Sequence, residues 1–319
     1  MEYTRRELGK LMLAVPAAGL LPRTALGAQA KPNSKWAGVQ VGLNVPYNFN
    51  SGPLARTLPA DETLQKTVQL GISAVEMRSQ PIELAMGAPA EAVAGGRGEA
   101  AKVAAASLRE WRLKTDPKKA GEVRRKYEDA GVKIEIVKFD GIYDFTDPEM
   151  DYAFLLAKAA GAKAISCELD LTGKGQKRVG PFADKHQLMV GYHGHAKTTP
   201  EMYASAAADA KYNGMNIDIG HWVAGNFGSP IEFMKTHHAK ITHIHVKDRK
   251  KDEAGGGGQN VPLGQGDTPV VEVLRLIRDN KWPIQATIEF EYLPGSASAA
   301  DRMAEMPKAI QFCKDALLG

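Results

Sequence analysis

The stretch Ile241-Thr242-His243-Ile244-His245-Val246-Lys247 decides the fold, because its apolar and polar side chains alternate. Successive side chains of a β-strand point to opposite faces, so Ile244 and Val246 share one face and both histidines and the lysine share the other. The apolar face predicts packing against helices. The opposite face carries groups that can titrate or bind a ligand.

Two further stretches, Met215 to Ile219 and Ile284 to Glu291, alternate in the same way and carry Asp218 and Glu289 on their polar faces. An open, doubly wound sheet covers both faces with apolar helices, whereas a closed barrel turns one face inward, toward a polar site at its mouth. The pattern therefore favours a closed (β/α)8 barrel, the TIM barrel.

Short β-rich runs alternate with helical segments along the rest of the chain, which is typical of a parallel sheet with crossover helices. Eight strands are predicted: Val39 to Val45, Ile72 to Arg78, Val132 to Phe139, Ala162 to Leu169, Leu188 to His193, Met215 to Ile219, Ile241 to Lys247 and Ile284 to Glu291. One Ala/Gly-rich segment, Met86 to Ser107, lies in the long gap between strands two and three. It is interpreted either as a mobile lid or as a partly helical surface insertion.

The first thirty residues have the order of a targeting segment: Thr4-Arg5-Arg6-Glu7-Leu8, an apolar run from Leu11 to Leu21, then Ala28-Gln29-Ala30. This order resembles a twin-arginine export signal, and the run is too short to span a bilayer. The alternative is an N-terminal helix packed on the domain. We predict a signal at residues 1–30, a single barrel domain at residues 31–319, and a periplasmic or otherwise exported protein.

Composition excludes several other classes of protein. The chain has 319 residues, 44% hydrophobic and 24% charged, which places it in the globular range rather than the disordered one. Without residues 1–30 it keeps 37 basic and 35 acidic side chains, a balance that argues against a nucleic-acid partner. We expect no stable membrane insertion after signal removal, and self-association stays open. Cys167 and Cys313 fall on opposite sides of the predicted barrel, too far apart for a disulfide.

Five of the eight histidines fall at or near the carboxyl ends of three successive strands. They are His193, His195, His221, His243 and His245. A lone histidine is more simply explained as a core or surface residue. A cluster on three neighbouring strands, beside Asp218 and Glu289, favours a metal site.

The sequence resembles a known family, the sugar phosphate isomerase/epimerase proteins. These are xylose isomerase-like barrels of the AP endonuclease family 2 superfamily. The resemblance covers residues 36–319. Its markers, in order, are Gly191-Tyr192-His193-Gly194-His195, Asn216-Ile217-Asp218-Ile219-Gly220-His221, His243-Ile244-His245-Val246-Lys247-Asp248, Leu263-Gly264-Gln265-Gly266-Asp267 and Ile288-Glu289-Phe290-Glu291. Their order and spacing carry more weight than any one of them.

The resemblance implies one divalent ion held by a residue from each of strands five to eight. Asp218, His245 and Glu289 match the family's ligands, and His221 matches a substrate-binding histidine that is also a catalytic candidate. Lys247 and Arg249 lie where relatives bind substrate or support the ligands. A salt-bridged strand end is the alternative for them. Mn²⁺ is the expected ion, with Co²⁺, Mg²⁺ or Zn²⁺ as alternatives.

The sequence departs from the family at strand five, where His193 stands in place of the usual glutamate. A metal-bound imidazole cannot serve freely as a base, so the family's scheme of two glutamates exchanging a proton is incomplete. Glu168 on strand four points into the same mouth by parity and is a candidate base or extra ligand. Pairing with Lys138 is the alternative for it. Lys138 and His195 are further substrate-binding candidates.

The function expected from this pattern is proton transfer next to a carbonyl, in a metal-dependent sugar isomerase or epimerase whose catalytic candidates are Glu289, Glu168 and His221. Because His193 breaks the symmetrical acid/base pair, a lyase or hydrolase acting on oxidised (3-keto) glycosides is the alternative. A non-catalytic carbohydrate-binding protein is a third class. In each case the partner is a small carbohydrate.

Overall fold

A computed structural model describes residues 31–50, 54–95, 98–252 and 258–319, and the predicted export signal at residues 1–30 lies outside them. Eight strands form one closed parallel barrel, and they are numbered here in chain order. They are β1 (Val39–Val45), β2 (Ala74–Arg78), β3 (Lys133–Lys138), β4 (Ala164–Glu168), β5 (Met189–His193), β6 (Asn213–Asp218), β7 (Ile241–Val246) and β8 (Gln285–Ile288).

Each strand pairs in parallel with its neighbours in chain order, and β8 returns to β1, where Thr287 lies opposite Gly42. The closed (β/α)8 barrel predicted from the alternating strands is therefore confirmed. A short antiparallel strand, Lys35–Trp36, extends β1 at its outer side. A second small antiparallel pair, Asp248–Arg249 with Asn260–Val261, lies after β7.

Helices surround the barrel in the described ranges, and most link one strand to the next. They are α1 (Leu54–Thr57), α2 (Ala60–Gln69), α3 (Ser79–Ala85), α4 (Ala90–Ala94), α5 (Glu99–Lys114), α6 (Ala120–Asp129), α7 (Asp147–Ala159), α8 (Lys174–His186), α9 (Pro200–Ala208), α10 (Ile219–Ala224), α11 (Ile231–His237), α12 (Val270–Asp279) and α13 (Ala299–Leu318). No helix among the described residues is long and apolar enough to cross a membrane.

The helix starts follow local chemistry. Thr146 and Glu149 form a reciprocal capping box at the start of α7, and the Thr199 hydroxyl accepts from the Met202 backbone N–H at α9. The Ala/Gly-rich segment after strand two is helical in α4 and α5, which agrees with the surface-insertion interpretation. Arg112 on α5 anchors it, because its guanidinium lies 2.7 Å from the buried carboxylate of Glu83.

The barrel interior is tight at its lower end, where small residues are required. A Cβ placed on Gly42 would lie 2.7 Å from the Gln285 amide nitrogen, and one on Gly191 would lie 2.1 Å from the Thr242 hydroxyl. The main apolar core lies between strands and helices and includes Leu43 and Tyr127, both fully buried. Polar side chains can therefore collect at the carboxyl ends of the strands without opening the core.

Candidate active site

The four side chains proposed as metal ligands converge at the carboxyl-end mouth of the barrel. His193 ends β5, Asp218 ends β6, His245 lies on β7 and Glu289 directly follows β8. Each offers one ligand atom, and these four atoms all lie within 4.8 Å of one another. All four residues are buried. Together they form a group that can hold a metal ion, which we call the tetrad.

Contacts within the tetrad leave several acceptor atoms without partners. His245 Nδ1 lies 3.3 Å from Glu289 Oε1 and 4.0 Å from Asp218 Oδ2. Within the described residues, neither His193 Nδ1 nor His245 Nδ1 has a hydrogen-bond partner, and Asp218 Oδ2 has only an ion pair with Lys247 at 3.1 Å. Buried polar atoms left unpaired cost free energy. A cation placed among them would satisfy them together, so the residues present fit a metal ion.

Glu76 on β2 orients His245 from below. Its Oε2 lies 2.6 Å from His245 Nε2 and 3.2 Å from His243 Nε2, and all three side chains are fully buried. Burial raises the pKa of Glu76, but the two histidines outweigh burial and hold that pKa well below its usual range. The carboxylate therefore keeps the proton of His245 on Nε2 and leaves Nδ1 facing the tetrad.

The sequence did not single out Glu76, although one signal was available. It is an acidic side chain between Val75 and Met77 in an otherwise apolar run, at a position whose parity points into the barrel. His243 was expected near the mouth. It lies two residues below His245 on β7, in the deeper group with Glu76.

Lys247 joins three carboxylates at the mouth. Its Nζ lies 2.6 Å from Glu289 Oε2, 2.6 Å from Glu291 Oε2 and 3.1 Å from Asp218 Oδ2. Burial lowers the pKa of Lys247, but the three carboxylates raise it well above its ordinary value, so the ammonium stays charged. Only 3% of the side chain is exposed. The salt-bridged strand end, left open as an alternative to substrate binding, describes this lysine.

The neighbouring Asp248 supports a loop instead of the mouth. Its carboxylate accepts backbone N–H groups from Gly264 at 2.9 Å, Gly266 at 2.8 Å and Thr268 at 3.1 Å. A Cβ on Gly266 would lie 1.9 Å from Asp248 Oδ1, so the loop can approach only with glycine there. This contact explains the glycines of the Leu263–Asp267 motif.

A chain of hydrogen bonds runs beside the tetrad and joins the remaining candidates. Lys138 Nζ lies 2.7 Å from Glu168 Oε1, and His195 Nε2 lies 2.7 Å from Glu168 Oε2. His195 Nδ1 lies 3.2 Å from His221 Nε2, and Arg249 Nη1 lies 2.5 Å from His221 Nδ1. We call this chain, Arg249–His221–His195–Glu168, the relay.

The direction of the relay follows from donor counts. Arginine can only donate, so His221 Nδ1 must accept, and the proton of neutral His221 lies on Nε2. That Nε2–H donates to His195 Nδ1, which places the proton of His195 on Nε2, facing Glu168. Burial first, then Lys247, His195 and Arg249, lowers the pKa of His221 to about 2, so this histidine is neutral.

Glu168 is paired with Lys138, as the alternative for it proposed, and it also accepts from His195. Burial raises its pKa, but His193, Lys138 and the hydrogen bonds lower the pKa far below its usual range. The carboxylate is therefore ionised, and it contacts His195. A cavity of about 580 Å³, lined by His195, His221 and Arg249 among others, opens beside the relay.

The His193 ring lies between the two systems. Its centroid is 4.5 Å from that of His245 in the tetrad and 4.8 Å from that of His195 in the relay. The relay therefore lies on the same side of the mouth as His193, the residue that stands in place of the family's strand-five glutamate. Of the predicted site residues, all except Lys138 and Lys247 lie in the tetrad or the relay. Lys138 pairs with the carboxylate of the relay, and Lys247 pairs with the carboxylates of the tetrad.

Comparison with known proteins supports the architecture. A family model described as xylose isomerase-like TIM barrel matches residues 166–316. This range contains β5 to β8, and so all four tetrad residues. The chain has no significant match among curated proteins.

Solved structures extend the likeness over the whole barrel. A xylose isomerase domain protein from Planctomyces limnophilus is 16% identical, with a TM-score of 0.60, over 88% of this chain and 97% of that one. A xylose isomerase domain protein from Alicyclobacillus acidocaldarius is 14% identical, with a TM-score of 0.54, over 88% and 100%. The 3-keto-D-glucoside 4-epimerase YcjR from E. coli is 10% identical, with a TM-score of 0.55, over 87% and 99%. The chain thus has the xylose isomerase-like TIM barrel fold, and the family of that name is supported by the match across its second half.

Proposed function

We propose that the protein is a metal-dependent sugar isomerase or epimerase that works at the carboxyl-end mouth of the barrel. The observation that carries the proposal is the convergence of His193, Asp218, His245 and Glu289 on one buried point. One structural neighbour is a sugar epimerase, and it supports a carbohydrate substrate for a barrel of this shape.

The ligand atoms of the tetrad limit which ion can bind there. Two imidazoles and two carboxylates suit Mn²⁺, Co²⁺ or Zn²⁺, whereas Mg²⁺ prefers oxygen ligands alone. Mn²⁺ remains the ion that we propose. Lys247 bonds the outer oxygen of Glu289, Oε2, while Asn44 donates to Oε1 at 2.9 Å. These contacts fix the carboxylate with Oε1 toward His245.

A divalent ion bound there would polarise the carbonyl and adjacent hydroxyl of a sugar and make the neighbouring C–H group more acidic. In our proposal Glu289 accepts that proton on one side of the mouth. On the other side a second proton, taken from solvent through the 58% exposed His195 side chain, is delivered to the opposite face of the carbon, and Glu289 then releases its own proton to solvent. The relay thus stands in for the missing strand-five glutamate.

The second candidate function is a lyase or hydrolase acting on 3-keto glycosides. It is favoured by the exposed His195 imidazole of the relay, which lines a cavity of about 580 Å³ with room for a leaving group. Proton donation from His195 to a departing oxygen would complete elimination rather than epimerisation. The proposed export signal also favours an extracytoplasmic glycoside over a phosphorylated metabolite.

One experiment separates these functions. The metal-loaded protein is incubated in heavy water with free ketoses and with 3-keto glucosides. Deuterium in an otherwise intact sugar supports the isomerase or epimerase, whereas release of an aglycone supports the lyase or hydrolase. Sugar binding that needs no metal and is unchanged in Asp218→Ala would instead identify a binding protein.

Metal analysis of variants tests the tetrad directly. We expect one divalent ion per chain in the wild type and its loss in His245→Ala and Glu289→Ala. His195→Gln should keep the ion and lose turnover, and His238→Ala, on the exposed helix end, should keep both. Full metal occupancy in both ligand variants would contradict the proposal.

Export remains a separate proposal, since residues 1–30 are outside the described residues. It is tested by cell fractionation of the full chain and of a variant with Arg5→Lys and Arg6→Lys. Retention of that variant in the cytoplasm, with the wild type exported, is the expected result.

A further inference from the structure

A cavity of about 420 Å³ lies on the side of β1, β2 and β8, and Phe290 and Glu291, which directly follow the tetrad residue Glu289 in the chain, are in its wall. Its walls include Tyr47 and Asn50 after β1, Arg78 at the end of β2, Glu291 after β8 and Arg302 on α13. It is separate from the cavity beside the relay, which lies on the β5 and β6 side of the mouth.

Arg302 is a buried cation without a counterion in the described part of the chain. Only 7% of the residue is exposed, and no carboxylate there approaches its guanidinium within 4.0 Å. Its Nη1 reaches the Phe290 carbonyl at 3.5 Å, and its Nε has no hydrogen bond within the described ranges. Burial of an uncompensated charge is costly, so such a group is retained where something else neutralises it.

Arg112 provides a comparison within the same protein. It is also 7% exposed, but its guanidinium lies 2.7 Å from Glu83 and 3.5 Å from Glu149. Arg112 is thus satisfied by two carboxylates of the chain, whereas Arg302 faces a cavity.

Most of the other unpaired groups at this cavity are donors, and the exception among the described residues is the amide oxygen of Asn260. Arg78 Nε and Asn50 Nδ2 are buried and have no hydrogen-bond partner among the described residues. The other end of Arg78 is bound to Asp140. Two unpaired donors and the Arg302 guanidinium, against one unpaired amide oxygen, are complementary to a ligand group that carries acceptor oxygens and negative charge.

Side-chain contacts of Glu291 connect the wall of this cavity to the tetrad. This carboxylate lines the cavity, accepts from the Tyr47 hydroxyl and lies 2.6 Å from Lys247 Nζ, which also holds Asp218 and Glu289. Glu291 is thus held by Lys247, which it shares with Asp218 and Glu289, whereas Arg302 has no described carboxylate within 4.0 Å. A ligand that reaches both the tetrad and this cavity must carry a reacting carbon and an oxyanion in one small molecule.

We propose that this cavity is a subsite for an oxyanion substituent of the substrate, so that the enzyme acts on an acidic sugar and not on a neutral one. The inference rests on the proposed function for the location of the reacting carbon. The same chemistry could come from a carboxylate, as in a uronate, or from a phosphate.

Binding of D-glucuronate, D-glucose and inorganic phosphate to the full metal-loaded protein tests the subsite by calorimetry. We expect D-glucuronate to bind about tenfold more tightly than D-glucose, the effect of one charge-assisted contact. In Arg302→Gln the two affinities should converge, while metal content and D-glucose affinity stay unchanged. Arg125→Gln, on the exposed outer face of α6, should keep the preference.

The arms of the experiment distinguish the sources of the oxyanion. If phosphate alone competes with D-glucuronate in the wild type but not in Arg302→Gln, the subsite accepts phosphorylated sugars too. If phosphate does not compete, the subsite selects carboxylates. Equal affinity for D-glucuronate and D-glucose in the wild type, or a preference that survives in folded Arg302→Gln, overturns the inference.

Measurement on chelator-treated protein separates this inference from the proposed function. A D-glucuronate preference that persists without metal supports the subsite even if turnover is never found. Turnover of neutral ketoses by a protein that lacks the preference would refute the subsite and leave the metal-dependent function intact.

Discussion

Glu76 Oε2 lies 2.6 Å from His245 Nε2, inside the barrel and out of contact with solvent. The carboxylate holds the imidazole from the side opposite the tetrad, so its effect on a metal ion is exerted through His245. Partners of this kind fix both the tautomer and the ring orientation of a ligand.

Removal of that carboxylate should weaken metal binding without removing a ligand. We expect Glu76→Ala to lower metal affinity by about 10- to 100-fold, and Glu76→Gln, whose amide oxygen can still accept from Nε2–H, to lower it less. Isothermal titration gives the affinity, and the absorption spectrum of the Co²⁺ form reports ligand geometry. Unchanged affinity and spectrum in a folded Glu76→Ala variant would show that Glu76 is merely structural.

The helical insertion should be part of the stable fold, because Arg112 ties α5 to buried Glu83. Arg112→Ala leaves that carboxylate without its partner, and loss of one member of a buried pair costs about 3–5 kcal/mol. Urea unfolding measures the free energy. Lys114→Ala, which breaks an exposed pair on the same helix, is the control and should have no measurable effect. Equal stability of both variants would favour the mobile-lid interpretation instead.

Lowering the pH should remove the contribution that the Asp140 carboxylate makes to the free energy of unfolding. Burial raises the pKa of this carboxyl, but Arg78, Lys138 and Arg56 outweigh burial and lower it. A folded-state pKa below the unfolded value stabilises the protein above the unfolded pKa, about 3.9, and the stabilisation is lost as pH falls through the folded value.

The variant Asp140→Asn should therefore be less stable than the wild type at pH 7 by about 2 kcal/mol, as for a hydrogen bond between charged groups. The gap should stay constant down to about pH 5 and close below about pH 4. Thermal melts across this range provide the measurement. A gap that widens toward low pH would contradict the assigned charges.

Both thiols should be unreactive in the folded protein. Cys167 and Cys313 are buried and unlinked, and burial raises the pKa of each to about 12. Ellman's reagent at pH 8 should label neither thiol in the native state and both in denaturant, because the thiolate is the reactive species. Fast labelling of either thiol in the native protein would argue against this burial.

The barrel could be predicted from the sequence alone, because strand periodicity is a local property. All eight predicted strands are present, with ends that differ by a few residues, as for β8, which stops at Ile288 instead of Glu291. The helix Lys174–His186 has no clear sequence pattern, since Gly175, Gly180 and Pro181 obscure it. Tertiary packing overrides such weak local preferences.

Inward parity at the carboxyl end of a parallel strand placed a cluster of histidines beside Asp218 and Glu289 at one mouth, because it fixes both direction and height. The family resemblance then selected the four side chains that the structure brings together. Parity could not show which neighbour each group touches. For Lys247 and Glu168 the sequence left a chemical role and a salt bridge open, and the structure pairs the first with three carboxylates and the second with Lys138 and His195.

What the sequence by itself determined is the closed parallel barrel and the set of chemical groups at its mouth, since both follow from residue spacing along each strand. Only the tertiary structure decided the partners: Glu76 beneath His245, the direction of the relay, and Arg302 facing a cavity without a carboxylate. These relationships join residues far apart in the chain, and their energies depend on distances of a few ångströms in a buried, weakly screened environment.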